Sequence, residues 1–430
     1  MTGLSAELQD IMRRYGMFVS MALVLVIVVL TAIGLHRVLA SAGDFIVYDF
    51  QSPLIAARAV LSGIDPYSEQ VTSQTQAFVY GRTALPTEDA LAFAYPAYVA
   101  YLLTPLAFLP LQWAQSIWLS ILLAAALAGV FLCIKIWGWP EKRWTTAMVL
   151  LWSFTFYPLV WALILGQIAV LAFASLALAL WAMLARRDLL AGIALSLSLI
   201  KPNLSIAVVV GILIFATLTR RIRLVGAAVL GISVLVLSPM IANPAWPLSF
   251  VQRLVEYLGY TPFVPPVSLL GELCCGAAAN AVAFSLIMLL VGATVYGWRN
   301  ALRSRSDQDV LWALGMTLIA TTAIAPRLAT VNQIILFVPA IGLFSALAKK
   351  GTHGALGIAL LMLLLGIGLW TLSLIPPVSV ASPRYPVEHR VLSPILPASM
   401  ALLWITVRWR QDQGESNSLA TEQAPEPSDA

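Results

Sequence analysis

The fold class this sequence predicts is an all-α polytopic membrane protein, with about twelve transmembrane helices in one bundle. Three observations predict it. The chain is 60% hydrophobic with a mean hydropathy of +0.89. Only 10% of its 430 residues are charged, against roughly 25% in a soluble domain, which is too little charge to cover a water-facing surface. Uncharged apolar runs of roughly 18 residues or more recur from end to end, the signature of membrane-spanning helices. A transmembrane barrel would alternate apolar and polar residues instead. The net charge of +5 is carried by arginines and lysines between the apolar runs, so it does not read as nucleic-acid binding.

Basic residues set the expected topology. They gather at 13–14, 135–143, 186–187, 220–223, 299–305, 349–350 and 408–410, and such clusters face the cytoplasm. The apolar stretch between consecutive clusters suits two crossings. The predicted spans are 17–37, 113–134, 145–160, 167–185, 189–201, 203–219, 224–241, 278–298, 309–325, 330–348, 354–375 and 391–407. Residues 1–410 are then expected to form a single integral-membrane domain of the plasma membrane with both termini cytoplasmic, and 411–430 a polar, acidic tail expected to be disordered. The first apolar run is expected to be retained as a span, being long and lacking a clear cleavage site. Outside lie a long first loop with interfacial helices at about 40–112, a proline- and aromatic-rich segment at about 243–276, and a shorter one at 376–390.

Several of these spans are short. The run 189–201 ends at Lys201-Pro202 after about thirteen residues, where a straight crossing needs about 20. Pro158 and Gly166-Gln167 interrupt 144–185. Broken helices are tolerated where the freed backbone faces protein or a water-filled cavity, so these breaks are expected to line a cavity near the outer leaflet.

The first loop holds the candidate chemistry. In DFQSPLIAARAVLSGIDPY, Ser52 suits a helix N-cap, Pro53 the first helical position and Gly63 the C-terminal cap. Leu54, Ala57 and Leu61 share one face, as in a short helix at the membrane surface. Asp49 then sits just before the helix N-terminus, where the dipole favours a carboxylate. A carboxylate kept ionised beside a cavity suits a general base or a cation ligand; a helix-entry aspartate with a purely structural role is the plainer alternative. Asp65-Pro66-Tyr67 reads as a turn opened by Asp65. The apolar stretch 91–110, broken by Pro96 and Pro105, reads as interfacial or re-entrant, with Phe93, Tyr95, Tyr98 and Tyr101 at headgroup level or along a groove for an isoprenoid tail.

Beyond the loop, Lys201 stands in an apolar context. A charge there suits a lipid phosphate or snorkels to the interface. Gln167, at a helix start, suits sugar or phosphate oxygens. Arg327, Arg384, Arg390 and His389 fall at the outer ends or in the last outer loop, as phosphate ligands or interface anchors. Cys133, Cys274 and Cys275 read as packing or unreactive residues, without a disulfide framework or zinc spacing. Three histidines in no ligand spacing and no acidic DxD cluster leave no metal or cofactor expected.

Taken together, these residues resemble glycosyltransferase family 87 of the GT-C superfamily, the polyprenol-phosphate-mannose-dependent mannosyltransferases. The match runs through Asp49, Phe50, Ala56, Ala57, Arg58, Gly63, Asp65, Pro66 and Tyr67, then the Tyr95-Pro96 segment, Gly166-Gln167 and the stretch ending at Lys201-Pro202. Ala97 replaces a second proline, and Ala169 stands where the family often has asparagine. The resemblance implies inverting transfer of a mannosyl or other hexosyl residue from a polyprenyl-phosphate sugar to a glycolipid or glycan acceptor at the outer face. It implies Asp49 as general base, with Asp44 second because Asp44 lies five residues too far from Ala56-Ala57-Arg58. Lys201, Arg327 and Arg384 would hold the donor phosphate, and Arg58, Asp65, Tyr67, Tyr95, Gln167 and His389 would contact donor or acceptor. The competing classes are a transporter or flippase of a lipid-linked or small solute, which calls for charged pairs on several spans and a short first loop, and a membrane scaffold or ligase-like enzyme.

Overall fold

The computed structural model describes residues 25–39, 47–85, 88–138, 143–260, 264–326, 329–348, 351–373 and 393–408. Every regular element among them is helical. In chain order these are α1 (Leu25–Leu39), α2 (Tyr48–Leu61), α3 (Glu69–Tyr80), α4 (Ala97–Leu102), α5 (Thr104–Ala107) and α6 (Leu111–Ile136). Then come α7 (Arg143–Ser153), α8 (Tyr157–Ile164), α9 (Ala169–Leu184), α10 (Asp188–Ser198), α11 (Pro202–Leu218) and α12 (Ile222–Met240). The chain continues through α13 (Trp246–Tyr260), α14 (Pro266–Cys275), α15 (Ala279–Ser304) and α16 (Asp307–Ile324). A 3-10 segment, Thr330–Leu336, leads into α17 (Phe337–Ala348), followed by α18 (Gly351–Leu363), α19 (Leu369–Ser373) and α20 (Ser393–Arg408).

Helices coincide with each predicted span, but among the described residues fewer than twelve are long and apolar enough to cross a membrane. Four qualify: Leu111–Ile136, Ile222–Met240, Pro266–Ser304 and Thr330–Ala348. A fifth appears if α7 and α8, bent by 51°, are one span. The shortfall is geometric: α10 has 11 residues, which reach only about 16 Å at 1.5 Å each, against a hydrocarbon core of about 30 Å. The first apolar run is helical from Leu25; its earlier residues, and the tail 411–430, lie outside the described residues.

The segment expected as the second outer loop is also helical. It contains α13 and α14, and α14 runs on through a 3-10 turn into α15. The prolines there open helices rather than prevent them: Pro266 is the first residue of α14. Cys274 and Cys275, expected to remain unbridged, form a disulfide with each other where Cys275 leaves helical geometry at φ −138°. Cys133 is free and buried, a packing residue.

The chain divides into two compact units. The first comprises Met1–Ala128, Leu163–Leu171 and Val236–Tyr257. Its core is built on Phe50, Leu54, Phe93, Leu122 and Ile168, all essentially inaccessible. The second comprises Gly129–Ala162, Ala172–Leu235 and Leu258–Ala430. An aromatic cluster organises it: Trp152 lies against Phe156, Phe337 and Phe344 at 4.9, 5.0 and 4.9 Å between ring centroids, and Phe173 meets Phe337 at 5.8 Å. Such pairs add about 0.5–1.5 kcal/mol each beyond simple burial.

Candidate active site

Helix α2 begins five residues earlier than its sequence grammar predicts. Val47 occupies the N-cap, so Asp49 lies inside the first turn and Pro53 inside the helix. The reason is tertiary: the Asp49 N–H, one of the donors an N-cap would serve, finds the Leu165 carbonyl at 3.0 Å. Ser52, the expected cap, is left with a buried hydroxyl that has no partner. The C-terminal end follows the expectation more closely. Gly63 adopts φ +71° just past the helix, its N–H reaching the Val60 carbonyl and that of Ile64 the Ala59 carbonyl, the paired closure that a left-handed glycine permits. Leu54 and Ala57 are buried, while Leu61 on the same predicted face is exposed; α2 packs against α3, α4 and α5.

The Asp49 carboxylate accepts a hydrogen bond from the side-chain amide of Gln167. Gln167 follows the break between α8 and α9, and that break is built on Gly166. Gly166 sits at φ +68°, and a Cβ there would lie 1.9 Å from Val47 Cγ1. Only glycine satisfies both the backbone angle and the close approach. The Trp118 indole N–H holds the Gly166 carbonyl at 2.8 Å, and the same indole stacks on Phe50 at 4.9 Å. The residues flanking Asp49 and those flanking Gln167 are thus locked to each other from both sides. The helix N-terminus and the amide both favour the ionised carboxylate.

Tyr95 lies within the electrostatic reach of this carboxylate. Burial first, then the charge of Asp49, and then Tyr257, push its phenol above the ordinary tyrosine range. It therefore stays protonated, a hydroxyl able to donate beside an anion. The Tyr95 carbonyl accepts from the Tyr67 hydroxyl at 2.8 Å, and the Tyr67 carbonyl accepts from Arg253 of α13. Arg253 also pairs with Glu256 at 2.7 Å. Asp65 makes the turn expected of it: its Oδ1 accepts the Tyr67 N–H at 2.9 Å and its carbonyl the Ser68 N–H at 3.0 Å.

Arg58 is turned to the backbone. Its Nε and Nη2 donate to the carbonyls of Ala107 and Leu109 at 3.3 and 3.0 Å, bracing α2 against the end of α5. Lys201, in the second unit, is buried at 7% exposure and occupies the N-cap position of α11 without capping it through its side chain. Asp44, Arg327, Arg384, Arg390 and His389 lie outside the described residues.

Sequence reasoning missed three participants here. The sequence places Trp118 in the span 113–134 and Arg253 and Tyr257 in the segment at about 243–276, with nothing to single them out. The available signal was Arg253-x-x-Glu256, a basic and an acidic residue at helical spacing in an otherwise apolar stretch.

The model of glycosyltransferase family 87 matches residues 93–326, more than half of the chain. The chain belongs to glycosyltransferase family 87. A glycosyltransferase activity acting from a membrane-embedded helical protein follows from that membership. The match includes Tyr95 and Gln167 but begins after Asp49. No curated protein and no solved structure matches the chain.

Proposed function

We propose that this family 87 glycosyltransferase moves a mannosyl residue from a polyprenyl-phosphate sugar to a glycolipid or glycan acceptor, with Asp49 as general base. The observation that carries the reading is the Gln167–Asp49 hydrogen bond. Gln167 lies inside the family match and grips a carboxylate outside it, which ties the first-loop aspartate to the part of the chain that defines the family.

The acceptor hydroxyl attacks the anomeric carbon as its proton passes to an Asp49 oxygen. The bond from that carbon to the phosphate oxygen breaks, and the polyprenyl phosphate leaves with the electron pair. Attack opposite the leaving group inverts the anomeric centre. Charge accumulates on the phosphate, where fixed cations lower the barrier; Lys201, Arg327 and Arg384 are the proposed ones. Tyr95, as a protonated hydroxyl beside the base, is suited to orient a sugar or acceptor oxygen. Asp65 and Tyr67 serve by holding the Tyr95 segment, and Arg58 by holding α2. His389 remains a proposed acceptor-side contact. The positive clusters support an outward-facing site, with twelve crossings made partly by broken helices and both termini cytoplasmic.

The test is purified protein with radiolabelled polyprenyl-phosphate mannose and a membrane acceptor extract. Wild type transfers label, and Asp49→Asn lowers the rate by about 10²–10⁴, the usual contribution of a general base. Unchanged transfer by Asp49→Asn removes Asp49 as the base. Failure of wild type with every acceptor fraction removes the donor assignment.

A further inference from the structure

The second unit contains a cavity of about 490 Å³ that plays no part in the Asp49 chemistry. It forms where the ends of four helices meet: the C-terminal end of α6 at Lys135–Gly138, that of α9 at Trp181–Ala185, the first turns of α16, and the last turns of α17. Three indoles, of Trp137, Trp181 and Trp312, line it.

The wall is built rather than incidental. The Trp137 indole N–H donates to the Val338 carbonyl at 2.8 Å, and the Trp137 carbonyl accepts from the Ser345 hydroxyl at 3.0 Å. Gly342 makes room for that ring, since a Cβ there would meet it at 2.8 Å. Trp404 backs both Trp137 and Trp312, with ring centroids at 5.6 and 4.1 Å.

The charge at the mouth is unequal. Lys135 lines the cavity, its ammonium 4.6 Å over the Phe131 ring. Arg187 lies over the Trp181 ring at 4.9 Å, and Arg186 pairs with Asp307 at 3.0 Å, which neutralises the one carboxylate among the lining residues. Among the described residues, Arg186 thus offsets the lining carboxylate, and the Lys135 charge stands beside an aromatic, partly apolar hollow. Tryptophan with lysine and arginine is the composition of a membrane–water boundary, and the volume is that of a small-molecule site.

We propose that this cavity binds the headgroup of an anionic phospholipid, the phosphate against Lys135 and the glycerol and first methylenes against the indoles. A free phosphate would use the lysine and leave the aromatic wall without a role. The site is independent of the glycosyl-transfer reading and stands or falls separately from it.

The experiment is native mass spectrometry of the full-length protein released from detergent micelles doped with equal mole fractions of phosphatidylglycerol and phosphatidylcholine. Wild type is expected to retain one phosphatidylglycerol about fivefold in excess over phosphatidylcholine, as one basic contact at a membrane surface supplies. Lys135→Gln, a change at an exposed side chain, should bring the two lipids level. Ala346→Phe, which sets a ring in the cavity wall and keeps the lysine, should do the same. Equal retention of both lipids by wild type overturns the proposal, as does an excess that survives either variant. Loss of bound phosphatidylglycerol on adding millimolar inorganic phosphate overturns it too, because the occupant would then be the free anion.

Discussion

Two breaks in apolar helices, at Gly166-Gln167 and at Lys201-Pro202, look alike in sequence and are built differently. Each places a polar residue at the start of a helix in a greasy context. At the first, the backbone turns through a left-handed glycine, and the polar side chain points at a carboxylate 118 residues away in sequence. At the second, Lys201 keeps φ negative, at −136°, and the helix start is stitched locally. The Lys201 carbonyl accepts the Leu204 N–H at 3.1 Å, and the Ser205 hydroxyl returns to the Ser198 carbonyl at 2.8 Å. The first break is held by tertiary contacts, whereas the second also carries bonds to its own neighbours. Perturbing the first should therefore damage catalysis through the fold of the site, while perturbing the second should touch one step at a time.

The sharpest way to break the contrast is Gly166→Ala. The substitution forces a Cβ into Val47 and a non-glycine residue into φ +68°. The backbone angle costs about 1–2 kcal/mol and the overpacking about 1–3 kcal/mol, so a loss of about 2–5 kcal/mol in stability is expected, with transfer nearly abolished. A thermal-unfolding shift read alongside activity checks it. Adding Val47→Ala should recover the steric part and not the angular part. A Gly166→Ala protein with wild-type melting and turnover would mean that this break tolerates what the second would.

Gln167→Ala comes next. It removes a donor to Asp49 and leaves the turn, so kcat should fall by about 10- to 100-fold, the scale of a slightly misplaced catalytic group, while donor KM holds. Gln167→Glu should be worse, because it sets two carboxylates against each other. Equal kinetics for the two variants would show that the amide serves packing rather than the base.

How much of this was legible in the chain depends on the distance over which each residue acts. Helix positions were, because an apolar run with flanking charge is a local property. Their lengths were less so, although the interruption expected at Pro158 is there: α7 gives way to α8 at residues 154–156 with a 51° bend, and Pro158 falls in the first turn of α8. Asp65 was read correctly as a turn residue, since its partners are two and three residues on. Asp49 was misplaced by one turn, because the group that caps its N–H is Leu165, far along the chain. Arg58 looked like a ligand for substrate because its partners, 49 and 51 residues away, are carbonyls that no sequence pattern marks.

Lys201→Ala probes the second break through its charge. With the lysine as a phosphate ligand, donor KM should rise by about tenfold, the scale of one charge-assisted hydrogen bond, with kcat within about twofold and an unchanged size-exclusion profile. An unmoved donor KM would remove the phosphate role and leave Lys201 a structural residue of the helix start.

The smallest effect should come from Ser205→Ala. Its hydroxyl is fully buried and bridges the break, donating to the Ser198 carbonyl at 2.8 Å with the Lys201 carbonyl at 3.4 Å. Removing one neutral hydrogen bond costs about 0.5–1.5 kcal/mol, and the Ser198 carbonyl loses that donor. Pro202 still fixes the backbone entering α11, so the helix start should persist and the kinetics should stay near wild type while melting falls slightly. That outcome would set the second break apart from the first, where the gain of a single methyl group at Gly166 is expected to cost more than the loss of a hydroxyl here. A Ser205→Ala protein with donor KM raised as far as in Lys201→Ala would instead show that the local stitching is what aims the lysine, and the two breaks would then share one design.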